Sequence, residues 1–462
     1  MNFLKAKNID ATEGKLLPKI ILYAIPLILS TLIQQLFNAI DIVVLGQMAN
    51  AEAVASVSAT SSVTSLLVTS FVGLASGSRV VLARLIGARD NVNVRKTTDT
   101  SLIMSIIIGV IIAVVGFFAA PWFLEITNCP EECLEGALLY IRIYTMAAPF
   151  IMLYNFGSSA ITAGGDTQRP LYYIMIGGIT NVVLNIILCL ILPQKVIAVA
   201  VATVASQVVC AILVSVRLMR MDGPCRVVIK KMKLSIRAIG SIMRYGLPMM
   251  LVNMIFPLSN LQISSAINSF GTLGTAGNGA ASTIENIVSA TSGPIAVTAA
   301  TFIGQNIGAQ KPDRVKRIFW MCMLITVVMG GVVGTLTFFT GRIWTGLIVG
   351  YENEEAITFA LVRMSCTTLF YFVACMNNVY GSALQAYGYS AVSAVNSVFS
   401  VFVFRIIWMQ GIYPFYADHP TYERFFMVTF CFLVSWLIRL AVNAVAFIIV
   451  RVKYTRGIRR VL

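Results

Sequence analysis

The sequence predicts an all-α integral membrane protein with twelve transmembrane helices in two six-helix lobes that are related by a parallel internal repeat. Three observations predict this class. Of the 462 residues, 58% are hydrophobic and 11% are charged, whereas soluble domains carry about 25% charged residues. Long apolar stretches recur along the whole chain at short intervals. Motifs of the first half also return in the second half at a nearly constant distance.

Each apolar stretch is long enough to cross the hydrocarbon layer, which takes about 20 helical residues. No water is present there to satisfy backbone groups, so such stretches must be helical. A soluble enzyme and a disordered chain are therefore excluded. In chain order, the predicted spans 1 to 12 are 18–46, 52–83, 97–119, 136–159, 170–192, 196–217, 241–270, 275–306, 317–340, 357–382, 391–414 and 425–450.

Six pairs of motifs relate the two halves. Y-A-I-P at 23–26 recurs as Y-G-L-P at 245–248, and I-G-A-R at 86–89 recurs as I-G-A-Q at 307–310. The remaining pairs lie at offsets of 221 to 223 residues and are V-R-K with V-K-R, Glu131–Glu132 with Glu354–Glu355, Arg142 with Arg363, and S-A-x-x-A-x-G at 159–165 with the same motif at 382–388. Ordered matches at one offset indicate a duplication.

Each half holds an even number of spans, so both halves enter the membrane in the same direction. Two equal lobes leave a central cleft, which is the geometry that alternating access requires. The predicted parts are a cytoplasmic segment 1–16, an N-lobe 17–218, a cytoplasmic linker 219–240, a C-lobe 241–451 and a basic tail 452–462.

The distribution of basic residues predicts the orientation. With a cytoplasmic N-terminus, inner segments hold 27 of the 34 Lys and Arg residues, outer loops hold three, and four lie within spans. Basic residues concentrate on the cytoplasmic side of membrane proteins. We therefore predict a multi-pass protein of the cell membrane with both termini in the cytoplasm. The same rule explains the net charge of +15 without nucleic acid as a partner.

Polar residues form a stripe on one face of span 1. Thr31, Gln34, Asn38 and Asp41 are spaced by three or four residues, which places them on one side of a helix. A charge at membrane depth costs at least about 2.5–3.5 kcal/mol on insertion scales. Carboxylate and amide oxygens can bind a hard cation such as Na⁺, and a carboxylate can instead hold a proton. Asp41 is therefore the first candidate for the coupling ion, and a polar seam between helices is the alternative.

Spans 5 and 6 offer companions for Asp41. Asn181 and Asn185 are one turn apart on span 5, and Thr203 and Gln207 are one turn apart on span 6. These side chains could complete an oxygen-rich pocket in the first lobe. Hydrogen bonding between helices is the alternative for each pair taken alone.

The second lobe carries its carboxylate on another helix, because Glu285 lies on span 8. The predicted substrate cavity is lined by Gln34, Asn38, Asn260, Glu285 and Arg405. The alternative for Glu285 is that it solubilises the outer end of its span.

Four arginines lie within spans. Arg405 and Arg439 are near the middle of spans 11 and 12, and an ion pair of either with Glu285 would make all three structural. Arg142 and Arg363 lie near the outer ends of their spans, where we expect them to snorkel towards the interface.

The sequence holds no recognisable catalytic set and no G-x-x-x-x-G-K-[ST] phosphate loop. An enzyme is therefore not predicted, and ATP is not the predicted source of energy. No cofactor is expected beside Na⁺ or H⁺ as the coupling ion.

The sequence resembles the multidrug and toxic compound extrusion (MATE) family. The resemblance runs over residues 14–455 and is carried by P-L-I-L-S-x-L-I-Q-Q-L-F-N-A-I-D in span 1, by the G-A-R-D and G-Q-N-I-G-A loops, and by I-N-S-F-G before span 8. It implies a cation-coupled exporter with two lobes around a central cavity. Asp41 corresponds to the ion or proton site of such exporters, and Asn181, Asn185 and Thr203 correspond to its companions.

The sequence departs from the MATE pattern on span 5. Relatives often carry N-x-x-x-D there, whereas this chain has N-x-x-x-N with Asn185 in the acidic place. One negative charge is missing, so that Asp41 is the sole carboxylate of the N-lobe site and tight Na⁺ binding is in doubt.

We predict a monomeric secondary active antiporter that exports amphipathic, cationic small molecules in exchange for Na⁺ or H⁺ as its lobes rock. The alternative is a lipid-linked oligosaccharide flippase of the same superfamily. A flippase needs a strongly cationic cavity for a pyrophosphate headgroup, and Arg405 and Arg439 keep that alternative open. A membrane scaffold that transports nothing is a third class, against which the polar stripes argue.

Overall fold

The computed structural model describes residues 9–48, 51–126, 131–416 and 418–459. Within these ranges the chain forms sixteen α-helices, a few short 3-10 and π segments, and no β-strand. This outcome follows from the composition, because apolar runs of this length can satisfy their backbone groups in lipid only as helices.

The first half contains seven helices, which are α1 Leu16–Met48, α2 Ala51–Gly87, α3 Asn91–Ile126, α4 Glu131–Thr145, α5 Ala148–Ala163, α6 Gln168–Ile191 and α7 Lys195–Arg220. A 3-10 turn over Ile229–Lys231 follows. The second half begins with α8 Ile236–Asn268, α9 Gly271–Gly308, α10 Pro312–Phe339, α11 Gly341–Val349, α12 Glu354–Cys366 and α13 Tyr371–Tyr387.

Predicted span 11 is irregular in the structure. It consists of α14 Ser390–Ser397, a π segment Val398–Val403, α15 Phe404–Ile407, a second π segment Trp408–Ile412 and a 3-10 turn Tyr413–Tyr416. The last helix is α16 Thr421–Arg459. π segments inside α-helices are often found at functional sites.

The described helices include ten that are long and apolar enough to cross a membrane, or twelve if each of two bent pairs forms one span. The pairs are α4 with α5, bent by 45°, and α12 with α13, bent by 46°. Large apolar side chains such as Phe118, Leu190 and Phe339 are 76%, 71% and 77% exposed. Soluble proteins rarely expose broad apolar surfaces. The predicted fold class is confirmed.

The hydrogen bonds that end equivalent helices repeat between the two halves. After α2, Arg89 has φ of 57°, and the following amide donates to the carbonyl of Leu85 at 3.0 Å. After α9, Gln310 has φ of 56°, and the following amide donates to the carbonyl of Asn306 at 2.9 Å. Both are Schellman-type ends. The I-G-A-R and I-G-A-Q motifs therefore encode the same local structure.

Two equivalent glycines end α5 and α13. Gly165 and Gly388 have φ of 94° and 92°, in the left-handed region that side chains with a Cβ rarely adopt. At Gly165 a Cβ would also overlap the backbone of Ile9, whose amide donates to the Gly165 carbonyl at 3.1 Å. The S-A-x-x-A-x-G motif thus marks the end of the second helix of the bent pair in each half.

The described chain divides into two compact units. Unit 1 holds the residues up to Gly14 and Ile21–Met250, and unit 2 holds Lys15–Ile20 and the residues from Leu251 onward. Each unit has its own buried apolar residues, among them Met152 and Phe156 in the first and Phe425 in the second. The predicted lobe limits, 17–218 and 241–451, stay a prediction.

Candidate functional site

Three of the predicted ion-coupling residues meet between α6 and α7 in unit 1. The side-chain nitrogen of Asn185 donates to the side-chain oxygen of Asn181 at 3.2 Å. The side-chain nitrogen of Asn181 donates to the hydroxyl oxygen of Thr203 at 3.4 Å. Asn181 and Asn185 are 5% and 0% exposed. The result is a buried polar cluster on the interface of two apolar helices.

A glycine permits this close approach of α6 and α7. A Cβ at Gly177 would overlap the sulfur of Cys210, whose thiol donates to the carbonyl of Tyr173 at 3.4 Å. Asn181 follows Gly177 by one turn, so it faces α7 where the helices are near enough for a side-chain hydrogen bond.

The structure also places a side chain of α1 against α6. Gly178 of α6 faces the ring of Phe37 of α1 so closely that a Cβ would overlap it. Asp41 follows Phe37 by four residues, or about 6 Å along the helix. Because spans 1 and 5 run in the same direction, position 41 lies near the level of Asn181. The side chains of Asn38 and Asp41 themselves lie outside the residues that the structure describes, and Gln34 is exposed on α1.

Replacing Gly178 by Ala is expected to destabilise unit 1, because the new methyl group overlaps the Phe37 ring. Overpacking of this kind costs about 1–3 kcal/mol. Thermal unfolding in detergent micelles measures the change. Gly240→Ala is the matched control, since a Cβ there meets nothing within 4 Å. A second change, Phe37→Leu, should restore part of the loss. If Gly178→Ala unfolds at the same temperature as the native chain, Phe37 does not pack on Gly178 in the native protein.

Glu285 of unit 2 forms a buried ion pair with Arg363. Two parallel hydrogen bonds join Nε of Arg363 to Oε1 at 2.9 Å and Nη2 to Oε2 at 2.7 Å, and the two side chains are 5% and 15% exposed for Arg363 and Glu285. The hydroxyl of Thr367 donates to the same carboxylate, and the side-chain oxygen of Asn278 accepts from Arg363. Such bidentate pairs are strong and directional.

This pair corrects one expectation and decides one alternative that the sequence left open. Arg363 does not snorkel, because α9 supplies a carboxylate that neutralises it inside the unit. An ion pair of Glu285 with Arg405 or Arg439 does not form, because Arg363 occupies both carboxylate oxygens. The equivalent of Arg363 in the first half, Arg142, instead stacks on the Phe117 ring at 5.1 Å.

Sequence reasoning missed the Glu285–Arg363 pair, although one signal was present. Glu285 and Arg363 both lie in the N-terminal halves of predicted spans 8 and 10, and these spans run in the same direction. Two opposite charges in the same half of the membrane on parallel helices favour a pair.

Arg405 is held by neutral oxygens. Its Nη1 donates to the hydroxyl of Ser259 at 3.1 Å and to the side-chain oxygen of Asn260 at 3.2 Å. Its Nε and Nη2 each lie 3.3 Å from the hydroxyl of Ser435, and the guanidinium covers the Phe432 ring at 4.3 Å. Arg405 is 1% exposed, whereas Asn260 is exposed. Two of the predicted cavity residues, Asn260 and Arg405, are therefore in contact.

Comparison with known proteins gives one consistent result. The family model MatE matches the chain twice, over residues 26–187 and 248–409. "Probable multidrug resistance protein YoeA" of Bacillus subtilis is 24% identical over 388 residues, which are 82% of this chain and 83% of that protein. The "FAD transporter" of Shewanella oneidensis is 23% identical over 76% of this chain and 78% of its own.

The fold is also that of solved transporters. An outward-facing multidrug resistance MATE family transporter superposes with a TM-score of 0.86 at 20% identity. The superposition covers 97% of this chain and 98% of that chain.

Proposed function

This chain belongs to the MatE family of multidrug efflux transporters, and we propose that it works as a secondary active antiporter. In this proposal it exports amphipathic small molecules, organic cations among them, in exchange for Na⁺ or H⁺. The family match in both halves supports a transport function rather than catalysis. Transport also requires helices that cross the membrane, and each half of the chain is built of such helices.

The proposed coupling site is Asp41 with Asn181, Asn185 and Thr203. The single observation that carries this proposal is the buried cluster of amide and hydroxyl groups on α6 and α7, at the level that α1 reaches one turn after Phe37. A carboxylate beside such groups can bind Na⁺ or a proton. Because Asn185 stands where an acid would add a second charge, the site holds one carboxylate.

Ion binding at Asp41 drives export only if the ion has different affinities for the two states of the transporter. We propose that these states are inward-open and outward-open arrangements, reached as the two halves rock. We also propose that the chain is a monomer in the cell membrane. Both termini lie in the cytoplasm in this proposal, which the bias of 27 among 34 basic residues supports.

The charges of unit 2 bear on the substrate. Glu285 is neutralised by Arg363, so this carboxylate offers no net charge to a cation. A cationic substrate would therefore depend on Asp41 and compete there with the coupling ion. The names of the relatives widen the range of candidate substrates. One relative is named for multidrug resistance, and another is named for FAD, which carries phosphate groups.

The test is dye export from vesicles that contain the purified chain. Vesicles loaded with rhodamine 123 are given an inward Na⁺ gradient at equal pH, an inward H⁺ gradient without Na⁺, or no gradient. At one-to-one coupling a tenfold ion gradient can lower the dye concentration inside the vesicles to about a tenth of that outside, since each factor of ten is about 1.4 kcal/mol. We expect one of the two gradients to accelerate export. Equal rates under all three conditions would contradict the proposal.

The flippase alternative rests on the buried Arg405 and Arg439. A flippase would move a fluorescent polyprenyl pyrophosphate between leaflets of the same vesicles and would leave rhodamine 123 inside. The names of the curated relatives favour the exporter.

A further inference from the structure

The interior of unit 2 carries more positive than negative charge. Arg363, Arg405 and Arg439 are buried at 4%, 1% and 3% exposure, against the single mostly buried carboxylate of Glu285. The other carboxylates in the described part of unit 2 are exposed, and they are Asp313, Glu352, Glu354, Glu355, Asp418 and Glu423. Because Glu285 pairs with Arg363, two buried guanidinium groups remain without a counter-charge in that part of the chain.

Arg439 is the less satisfied of these two groups. Among the described residues its guanidinium makes no hydrogen bond and no ion pair, and its Nε is buried without a partner. The Phe256 ring lies 5.0 Å from the guanidinium carbon. Its backbone carbonyl accepts a hydrogen bond from the side-chain nitrogen of Asn396 at 2.9 Å.

The two guanidinium groups are neighbours on the seam between α8 and α16. Arg405 contacts Ser435 of α16 and Asn260 of α8. Arg439 lies one turn after Ser435, and Phe256 lies one turn before Asn260. α8 and α16 cross the membrane in opposite directions. The step forward from Ser435 to Arg439 and the step back from Asn260 to Phe256 therefore point towards the same side of the membrane. The two groups are therefore about one helical turn, or about 5.4 Å, apart along the seam.

Such a pair is an unfavourable way to stabilise a fold. Each buried charge carries a large desolvation penalty, and two like charges repel. Apolar residues of similar size often stabilise a protein as well as a buried ion pair does. The stacking of Arg405 on Phe432 and of Arg439 on Phe256 offsets only part of this penalty. A group that supplies the missing negative charge would offset much more.

We propose that Arg405 and Arg439 form a binding site in unit 2 for the acidic group of an amphipathic organic anion. Guanidinium groups present a planar fork of donors that fits carboxylate, sulfonate and phosphate oxygens. Phe256, which borders Arg439, offers an aromatic surface to the apolar part of the ligand. In this proposal the ligand reaches the pair past Asn260, which is exposed and bonded to Arg405.

This inference rests on the proposed function, because it names a second substrate class for the same exporter. Cations would bind at the carboxylate of Asp41, and anions would bind at the two arginines. The chain would then export organic anions in addition to the predicted cations.

Binding of two matched dyes tests the proposal. Carboxyfluorescein is an anion and rhodamine 123 is a cation, and both contain a xanthene ring. Fluorescence anisotropy measures their affinities for the purified full chain in lipid nanodiscs, without any ion gradient. We expect Arg439→Gln to weaken carboxyfluorescein binding by about tenfold or more, which is the effect of losing a hydrogen bond to a charged group. The affinity for rhodamine 123 should stay within about twofold.

Arg424→Gln is the matched control. Arg424 also lies on α16 and also stacks on an aromatic ring, that of Phe270 at 5.5 Å, but it lies about four turns from Arg439. Its replacement should leave both affinities unchanged. Should Arg439→Gln fail to fold, Arg439→Lys keeps the charge but loses the planar fork, and a loss of about threefold or more for the anion is expected. Unchanged anion binding in either folded variant would overturn the proposal.

Further outcomes distinguish between the possible sources of the acidic group. They also distinguish failure of the proposed anion site from failure of the proposed antiport function. Displacement of carboxyfluorescein by chloride alone, or far more strongly by polyprenyl pyrophosphate, would overturn the assignment to a small organic anion. Gradient-driven export of rhodamine 123 by a chain that does not bind carboxyfluorescein overturns this inference and leaves the proposed function intact. Specific anion binding by a chain that exports neither dye supports the site and contradicts the proposed function.

Discussion

Asp41→Asn should reduce gradient-driven dye export to the rate measured without a gradient, while the chain still inserts and folds. Asparagine keeps the size and polarity of the side chain but can neither take up a proton nor supply charge to Na⁺. Because an ion shifts the equilibrium between transporter states only through its differential affinity, loss of ion binding removes the driving force. Export from vesicles under the effective gradient measures the effect.

A surface carboxylate provides the control for Asp41→Asn. Glu13 pairs with Arg89 at 3.4 Å, with side chains 61% and 80% exposed for Glu13 and Arg89. Exposed pairs of this kind contribute little, so Glu13→Gln should export dye at the native rate. Native export by Asp41→Asn would contradict the coupling role of this residue.

Glu285→Gln should destabilise the protein more than Gly178→Ala does. The substitution leaves Arg363 buried and without a counter-charge, and breaking a buried pair in this way costs about 3–5 kcal/mol. Unfolding by sodium dodecyl sulfate, followed by circular dichroism, measures the loss.

The double variant Glu285→Leu with Arg363→Leu separates charge from packing. Replacing both members of a buried pair by apolar residues is often neutral or stabilising, so most of the lost stability should return. A Glu285→Gln variant as stable as the native chain would show that the pair lies in water rather than in the interior of unit 2.

The spans and their duplication could be predicted because both depend on patterns along the chain. About twenty apolar residues specify a membrane helix wherever they occur, and the I-G-A-R and I-G-A-Q motifs end their helices with the same hydrogen bonds. The bend between α12 and α13 could not be predicted in this way. Pro149 lies at the start of α5 and marks the first bend, whereas the break over 367–370 contains no proline.

The partners of buried charges could be predicted only in part. Periodicity places Glu285 and Arg363 on helix faces, but the rotation of α9 against α12 decides which faces meet. The hydrogen bonds of Arg405 to Ser259 and Ser435 join residues that are 146 and 30 positions apart in the sequence. The Asn181–Thr203 contact was easier to anticipate, since these residues lie on consecutive helices that pack as a hairpin.

Simultaneous recording of ion entry and dye exit in the same vesicles tests most directly whether this chain exchanges ions for substrates at Asp41. A pH-sensitive dye or radioactive sodium follows the ion, and rhodamine 123 fluorescence follows the substrate. We predict that the ion enters faster when the dye is present inside, that the two fluxes stay in constant proportion, and that both fall together in Asp41→Asn. Ion and dye fluxes that remain at native rates in Asp41→Asn, or that are independent of each other in the native chain, would contradict this account.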